Sequence, residues 1–227
     1  MAAHAAVARL RACGSFSCRA QLCSTRRGVA VVSTRGNMNY PFFPSAQLSM
    51  ETLKNATGGS SGKDSNQGCY DHAVALLARA PVLPKLVVVD LDYTVWPSYC
   101  QYKTLMDSPT VYPEAVDVIK ALAASRVTLA VASRTPALAV AMHFLEKLSI
   151  VDYFSYLEIY FTIFAKTKHF TALKDKTGFS YESMLFFDDE AKNLTSARKL
   201  GVNAILVGEG LNLKALEEGL VLLASKG

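Results

Sequence analysis

"LPKLVVVDLDYTVWP", residues 83–97, decides how the rest of the chain is read. Four apolar residues at 86–89 run into two aspartates, Asp90 and Asp92, one residue apart. Aspartate is a poor strand former and its anion is costly to take out of water, so a buried strand has no use for either. The strand ends there and delivers both carboxylates to one spot. In an extended chain, residues two apart lie on the same side, so Asp90 and Asp92 share a face.

Further apolar runs follow at 127–133, 158–161, 184–189 and 203–208. Helix-like segments lie between and after them, near 113–125, 136–148, 166–177, 191–200 and 212–225. Thr135 can cap a helix with Pro136 at its first position, and Asn212 can cap the last one. The runs are short and apolar throughout, as expected for strands covered on both faces. Their alternation with helices predicts a doubly wound parallel sheet in an α/β domain.

Ligands of such sheets bind outside the carboxyl ends of the strands. The first run is followed there by Asp90, Asp92 and Thr94, the second by Ser133, Arg134 and Thr135, the third by Lys166, and the fourth by Asp188 and Asp189. So many carboxylates at one edge repel one another without a cation. Oxygen donors without Cys or His select a hard ion, Mg²⁺ foremost. Ser133, Arg134 and Lys166 can then hold phosphate oxygens, which is the equipment of phosphoryl transfer. Asp90 is read as the nucleophile, forming an aspartyl-phosphate. Asp92 is read as the general acid and base.

These motifs resemble those of the haloacid dehalogenase superfamily. "VVVDLDYTVWP" is similar to its D-x-D-x-[TV] signature, "AVASRT" to its second motif, Lys166 to its third and "LFFDDE" to its acidic fourth. The DLDYT with a following Trp-Pro, the Ser-Arg pair and the FFDDE followed by Asn193 resemble one branch, the magnesium-dependent phosphatases, over about residues 83–223. The resemblance implies a Rossmann-like fold with a minimal cap or none, and phosphatase activity on phosphotyrosine or sugar phosphates. It implies that Mg²⁺ is held by the Asp90 carboxylate, the Asp92 main-chain carbonyl and Asp189, with Asp188 behind them or as an alternative ligand. It also implies that Leu91, Tyr99, Ser133, Arg134 and Lys166 bind substrate. Lys168 competes with Lys166 for the third motif, and Lys166 fits better because it precedes the step into His169-Phe170.

Each residue has a plainer reading taken singly. Asp189 can cap the helix near Ala191, Ser133 can cap as well, and Lys166 can be a solvated surface lysine. His169 and Phe170 read as packing, and Trp96 and Tyr99 are open between core and substrate contact. The joint placement of these groups at one edge favours a phosphate site. Three other functions fit the same edge: a phosphate-receiver module, a silent interaction protein and a phosphomutase. A receiver domain has the opposite order of acidic pairs, every candidate catalytic group is kept here, and a mutase needs a sizeable cap to exclude water.

The composition, 51% hydrophobic and 19% charged, supports a sizeable core. The net charge of +5 points towards nucleic acid until its position is considered. Residues 1–50 hold six arginines and no acid, which leaves 18 basic against 19 acidic residues beyond them. That Arg-, Ala- and Ser-rich segment is expected to be an organelle transit peptide, for a chloroplast or mitochondrion, with a cytoplasmic protein as the alternative. Residues 51–69 read as a flexible linker and 70–227 as the catalytic domain, opening with a short helix ended by Pro81. Three of the five cysteines fall in the leader, and no Cys-x-x-Cys pair exists. A zinc site, a disulfide framework and thiol chemistry are therefore not expected.

Overall fold

The computed structural model describes residues 65–226, and there the apolar runs pair into one sheet. Its strands are β1 (Leu86–Val89), β2 (Thr128–Ser133), β3 (Tyr156–Ile159), β4 (Met184–Asp188) and β5 (Asn203–Leu206). All pairings are parallel and the order is β3-β2-β1-β4-β5, which puts β1 at the centre. Val87 lies level with Leu129 on one side and Leu185 on the other. Side chains alternate between faces: Val87, Val89, Val131 and Phe187 enter one core layer, and Leu86, Val88, Ala132 and Phe186 enter the other. With both faces of the central strand dry, every position of β1 is apolar and buried, and its run reads as continuously apolar.

Helices α1 (Ser65–Arg79), α2 (Ala115–Ala124), α3 (Leu138–Lys147) and α6 (Leu213–Ala224) contribute to the first layer. Helices α4 (Thr167–Thr177) and α5 (Ala191–Leu200) contribute to the second. The chain runs outward from β1 to β3, then returns to β4 and β5, so the order reverses beside β1, where such folds open a crevice. Glycines end two of the helices: Gly178 (φ 70°) closes α4 and Gly201 (φ 103°) closes α5, in the left-handed region that a Cβ disfavours. No helix among the described residues is long and apolar enough to cross a membrane.

Four details differ from the sequence reading or refine it. Helix α1 begins at Ser65, so residues 65–69 of the expected linker are helical. The expected transit peptide, residues 1–50, and the rest of the linker lie outside the described residues. Helix α3 begins two residues later than expected, after a non-helical Ala137 (φ −96°, ψ 58°), so Pro136 stands ahead of the helix and not at its first position. The Thr135 hydroxyl instead accepts from the Ala137 amide (3.3 Å) in a turn ahead of the helix. Asn212 does cap α6, accepting from the Ala215 amide (2.9 Å).

The last of these details is a difference that bears on the site. Strand β3 sits two residues before the run read at 158–161. Its ladder ends where Ile159 meets Ser133, the Tyr160 amide donates to the Ser133 carbonyl (3.1 Å), and the chain then leaves the sheet. The apolar residues beyond, Phe161, Ile163 and Phe164, are 61%, 77% and 65% exposed. Between β1 and α2 the chain forms only one 3₁₀ turn, Cys100–Tyr102, and a bridge between Asp92 and Trp96. Among the described residues no domain covers the strand ends.

Candidate active site

The β1 end holds its two aspartates by different means. The Asp90 amide still belongs to the sheet, donating to the Phe187 carbonyl (3.0 Å). The chain then folds back: the Thr94 and Val95 amides donate to the Leu91 carbonyl (3.1 and 2.8 Å), and Tyr93 takes a φ of 57°. This turn brings Trp96 to Asp92, whose Oδ1 accepts from the indole Nε1–H (2.8 Å) and from the Cys100 amide (3.1 Å). Trp96 is fully buried, edge-on to Phe144 of α3 at 5.4 Å. It therefore stands behind the site, and the question left open by the sequence is answered for packing. Leu91 points its side chain into the core and does not line the pocket; only its amide, beside the Asp90 carboxylate, reaches the site. Thr94 is likewise buried.

The β4 end and Lys166 complete a charged cluster. Lys166 is 1% exposed, and its Nζ lies 2.5 Å from Asp90 Oδ1 and also pairs with Asp188 Oδ2. Lys168, the competing third-motif residue, faces solvent. Asp188 is fully buried, and its Oδ1 accepts from the Glu190 amide (2.7 Å) and from Asn193 Nδ2 (3.0 Å). Asp189, the next residue, is half-buried and lines the pocket. Carboxylate oxygens of Asp90, Asp188 and Asp189 lie within 4.8 Å of one another. Burial pushes the Asp90 carboxyl well above the ordinary carboxylate range; Lys166 pulls it back, and Asp188 adds repulsion. Burial opposes the charge of Lys166, but the two carboxylates outweigh burial and raise its pKa. Asp189 is pushed up to about 6 by burial and by Asp188 beside it.

The β2 end supplies hydroxyl and guanidinium. Ser133 is buried, and its Oγ accepts from the Thr135 amide (3.3 Å), which leaves its proton free to donate. The Ser133 carbonyl also accepts from Nε2 of His169 (3.0 Å), whose ring lies stacked on Tyr160 at 4.2 Å. Burial pushes His169 down to about 4, and the Lys166 charge works in the same direction, so the ring is neutral. His169 and Phe170 are thus packing residues, as the sequence reading has them. Arg134 is tethered: Nε donates to the Thr162 carbonyl (3.3 Å), and Nη1 pairs with Glu190 (3.0 Å) near Asn193 Oδ1 (3.5 Å). The part of its guanidinium left for a ligand is Nη2.

Asp90, Asp92, Tyr99, Ser133, Arg134, Lys166 and Asp189 all line one cavity of about 140 Å³. Asp188 lies beneath it. The volume is below the roughly 300 Å³ at which pockets begin to enclose a small molecule, so the cavity admits a small group and leaves the rest of a ligand outside. Tyr99, 40% exposed, and Phe161 stand at its rim. Sequence reasoning missed Phe161, Gln101 and the tether formed by Glu190. Glu190 and Asn193 stood inside the quoted motif, but only the fold brings them to Arg134. Gln101 carries no sequence signal, and Phe161 reads as part of an apolar strand because it lies just past the end of β3.

Comparison with known proteins gives this arrangement relatives. The acid phosphatase family model matches residues 82–226. Human magnesium-dependent phosphatase 1 is 39% identical over 155 residues, which cover 61% of this chain and 86% of the relative. A Schizosaccharomyces pombe protein described as a HAD-like hydrolase is 30% identical over 145 residues, covering 52% of this chain and 83% of its own. The crystal structure of a HAD-superfamily hydrolase from Ehrlichia chaffeensis shares the fold at a TM-score of 0.50 and 14% identity, over 63% of this chain and 98% of that one. On the family match and the identity to these relatives, the chain belongs to the acid phosphatase family, within the haloacid dehalogenase superfamily.

Proposed function

We propose that the protein is a Mg²⁺-dependent phosphatase that hydrolyses phosphomonoesters through an aspartyl-phosphate on Asp90. The observation that carries this reading is the Asp90, Asp188 and Asp189 cluster, with Asp92 and Lys166 at the same cavity. The donor set fits the ion: it is all oxygen, and one lysine faces three carboxylates whose oxygens lie within 4.8 Å of one another. Asp90, Asp189 and the Asp92 carbonyl would hold the ion, with Asp188 set to bind Lys166. When bound, Mg²⁺ neutralises charge at the site and polarises a phosphoryl oxygen.

The chain's own residues do the rest. A carboxylate oxygen of Asp90 attacks phosphorus, and the bond to the leaving oxygen breaks. Asp92 gives that oxygen its proton, then takes one from the water that attacks the aspartyl-phosphate, releasing phosphate and restoring Asp90. Ser133 Oγ–H, Lys166 and the free Nη2 of Arg134 donate to phosphoryl oxygens. The small cavity and its aromatic rim, Tyr99 and Phe161, favour a leaving group that rests outside on apolar surface, as a phosphotyrosine side chain does. Sugar phosphates are the other class proposed. A phosphate-receiver module has no use for Asp92 beside the acceptor.

Phosphate release from an aryl phosphate by the purified protein tests the function. We expect activity that requires Mg²⁺ and that falls by on the order of 10⁴-fold or more in Asp90→Asn, which keeps the shape and removes the nucleophile. Folded, Mg²⁺-binding protein that releases nothing would refute turnover. We also propose that the acid-free first 50 residues direct the protein to a chloroplast or mitochondrion. A fluorescent fusion carrying residues 1–69 should accumulate there, and diffuse cytoplasmic signal would speak against it.

A further inference from the structure

The two bonds to Asp92 Oδ1 have a chemical consequence. Both partners, the Trp96 indole and the Cys100 amide, are donors only, so Oδ1 must accept from both. An oxygen that carries its own proton is a poor acceptor for two N–H groups. The proton of the neutral carboxyl therefore resides on Oδ2. The terminal torsion of a carboxyl is otherwise broad and two-fold, so without these bonds either oxygen could face the cavity. Trp96 is suited to fix the orientation: it is fully buried, braced by Phe144, and its carbonyl accepts from the Tyr93 amide (2.8 Å).

We propose that Trp96, assisted by the Cys100 amide, is a positioning residue that holds Asp92 with Oδ2 presented for proton transfer. The inference rests on the reading of Asp92 as general acid. In the step concerned, the Asp90 oxygen bonds to phosphorus, the bond from phosphorus to the leaving oxygen breaks, and the Oδ2 proton passes to that oxygen. A poor leaving group, an alkoxide, needs that proton; 2,4-dinitrophenolate does not.

The test is kcat/KM, which reports formation of the phosphoenzyme, for an alkyl phosphate and for 2,4-dinitrophenyl phosphate. Trp96→Phe keeps the ring against Phe144 and deletes the donor. It should lower kcat/KM for the alkyl ester by about 10- to 100-fold, within the range of general acid catalysis and of a misplaced catalytic group. The loss for the dinitrophenyl ester should be at least about tenfold smaller, a difference that follows from the same acid catalysis. A merely structural role would lower both alike.

Cys100→Pro supplies a second deletion of a donor should Trp96→Phe fold poorly. Residue 100 opens a 3₁₀ turn, where proline is tolerated, and Tyr99 before it is extended (φ −83°, ψ 127°), as a residue preceding proline should be. It should reproduce the ester-dependent loss. Equal losses on both esters in Trp96→Phe and Cys100→Pro overturn the inference and leave the function standing. A loss on Asp92→Asn that is equal for both esters overturns the general-acid reading and the inference together. A wild type inactive on both esters overturns the function itself.

Discussion

At the end of β1 the acidic residues are two apart, Asp90 and Asp92; at the end of β4 they are adjacent, Asp188 and Asp189. In extended chain the first spacing turns both side chains to one side, and the second turns them apart. Accordingly Asp90 and Asp92 both line the cavity, whereas Asp189 lines it and Asp188 lies below, fully buried against Lys166. Spacing thus divides labour. The β1 pair supplies two groups for chemistry, and the β4 pair supplies one group to the cavity and one to its foundation. The foundation is the part most costly to break, since Lys166 and Asp188 are out of water and each leaves the other's charge uncompensated when removed.

Breaking that foundation is expected to have the largest effect. Lys166→Met leaves Asp90, Asp188 and Asp189 without their cation. Removing one partner of a buried ion pair costs about 3–5 kcal/mol, and urea unfolding of the metal-free variant at pH 8 should show a loss of that size. Adding Asp188→Asn removes one of the two buried charges that Lys166 pairs with, so the double variant should recover part of the loss. A loss of less than about 1 kcal/mol, the size of an exposed pair, would place the pair among the surface interactions and reverse the comparison.

A second way to sharpen the comparison is pH. His169 supports the β2 end through the Ser133 carbonyl, and burial lowers its pKa from 6.5 to about 4. The unfolded chain takes up the proton first, so the ring's contribution is whole above pH 6.5 and declines as pH falls towards 4. Across that window the decline approaches about 3 kcal/mol. His169→Phe keeps a ring against Tyr160 and cannot titrate. The stability difference between wild type and variant should therefore shrink from pH 7 to pH 4.5. Asp90 and Asp189 titrate in the opposite sense in both proteins and cancel in that difference. A difference independent of pH would mean that the ring is protonated in the folded state or reached by water.

The sequence carried the strand ends well and the loops poorly, for a physical reason. Asp90, Asp92, Ser133, Asp188 and Asp189 follow apolar runs whose direction and pairing are set by burial on both faces, so their convergence could be read from one dimension. The run at 158–161 misled because Phe161, Ile163 and Phe164 are apolar yet exposed, and exposed apolar residues at a rim look like core in a hydropathy pattern. Trp96 was ambiguous for the converse reason. Its bond to Asp92 depends on the positive φ of Tyr93, and a tyrosine gives no hint of that. The Arg134 tether joins residues 56 positions apart and follows only from the fold.

That tether provides the smallest expected effect and the clearest contrast with the buried pair. Arg134 and Glu190 make a bond of good length, 3.0 Å, but their side chains are 21% and 32% exposed. Water and salt screen such a pair, and ordering two long side chains costs entropy, so Glu190→Gln should change unfolding stability by less than about 1 kcal/mol. The change should also shrink as salt is added, unlike that of Lys166→Met. Its effect should fall on binding instead. Freed from Glu190, the guanidinium can swing away from the Thr162 carbonyl or turn both nitrogens towards phosphate, and KM should move while kcat holds. If stability fell as far as in the lysine variant, the rim would be part of the foundation, and the division drawn from the spacing of the aspartates would fail.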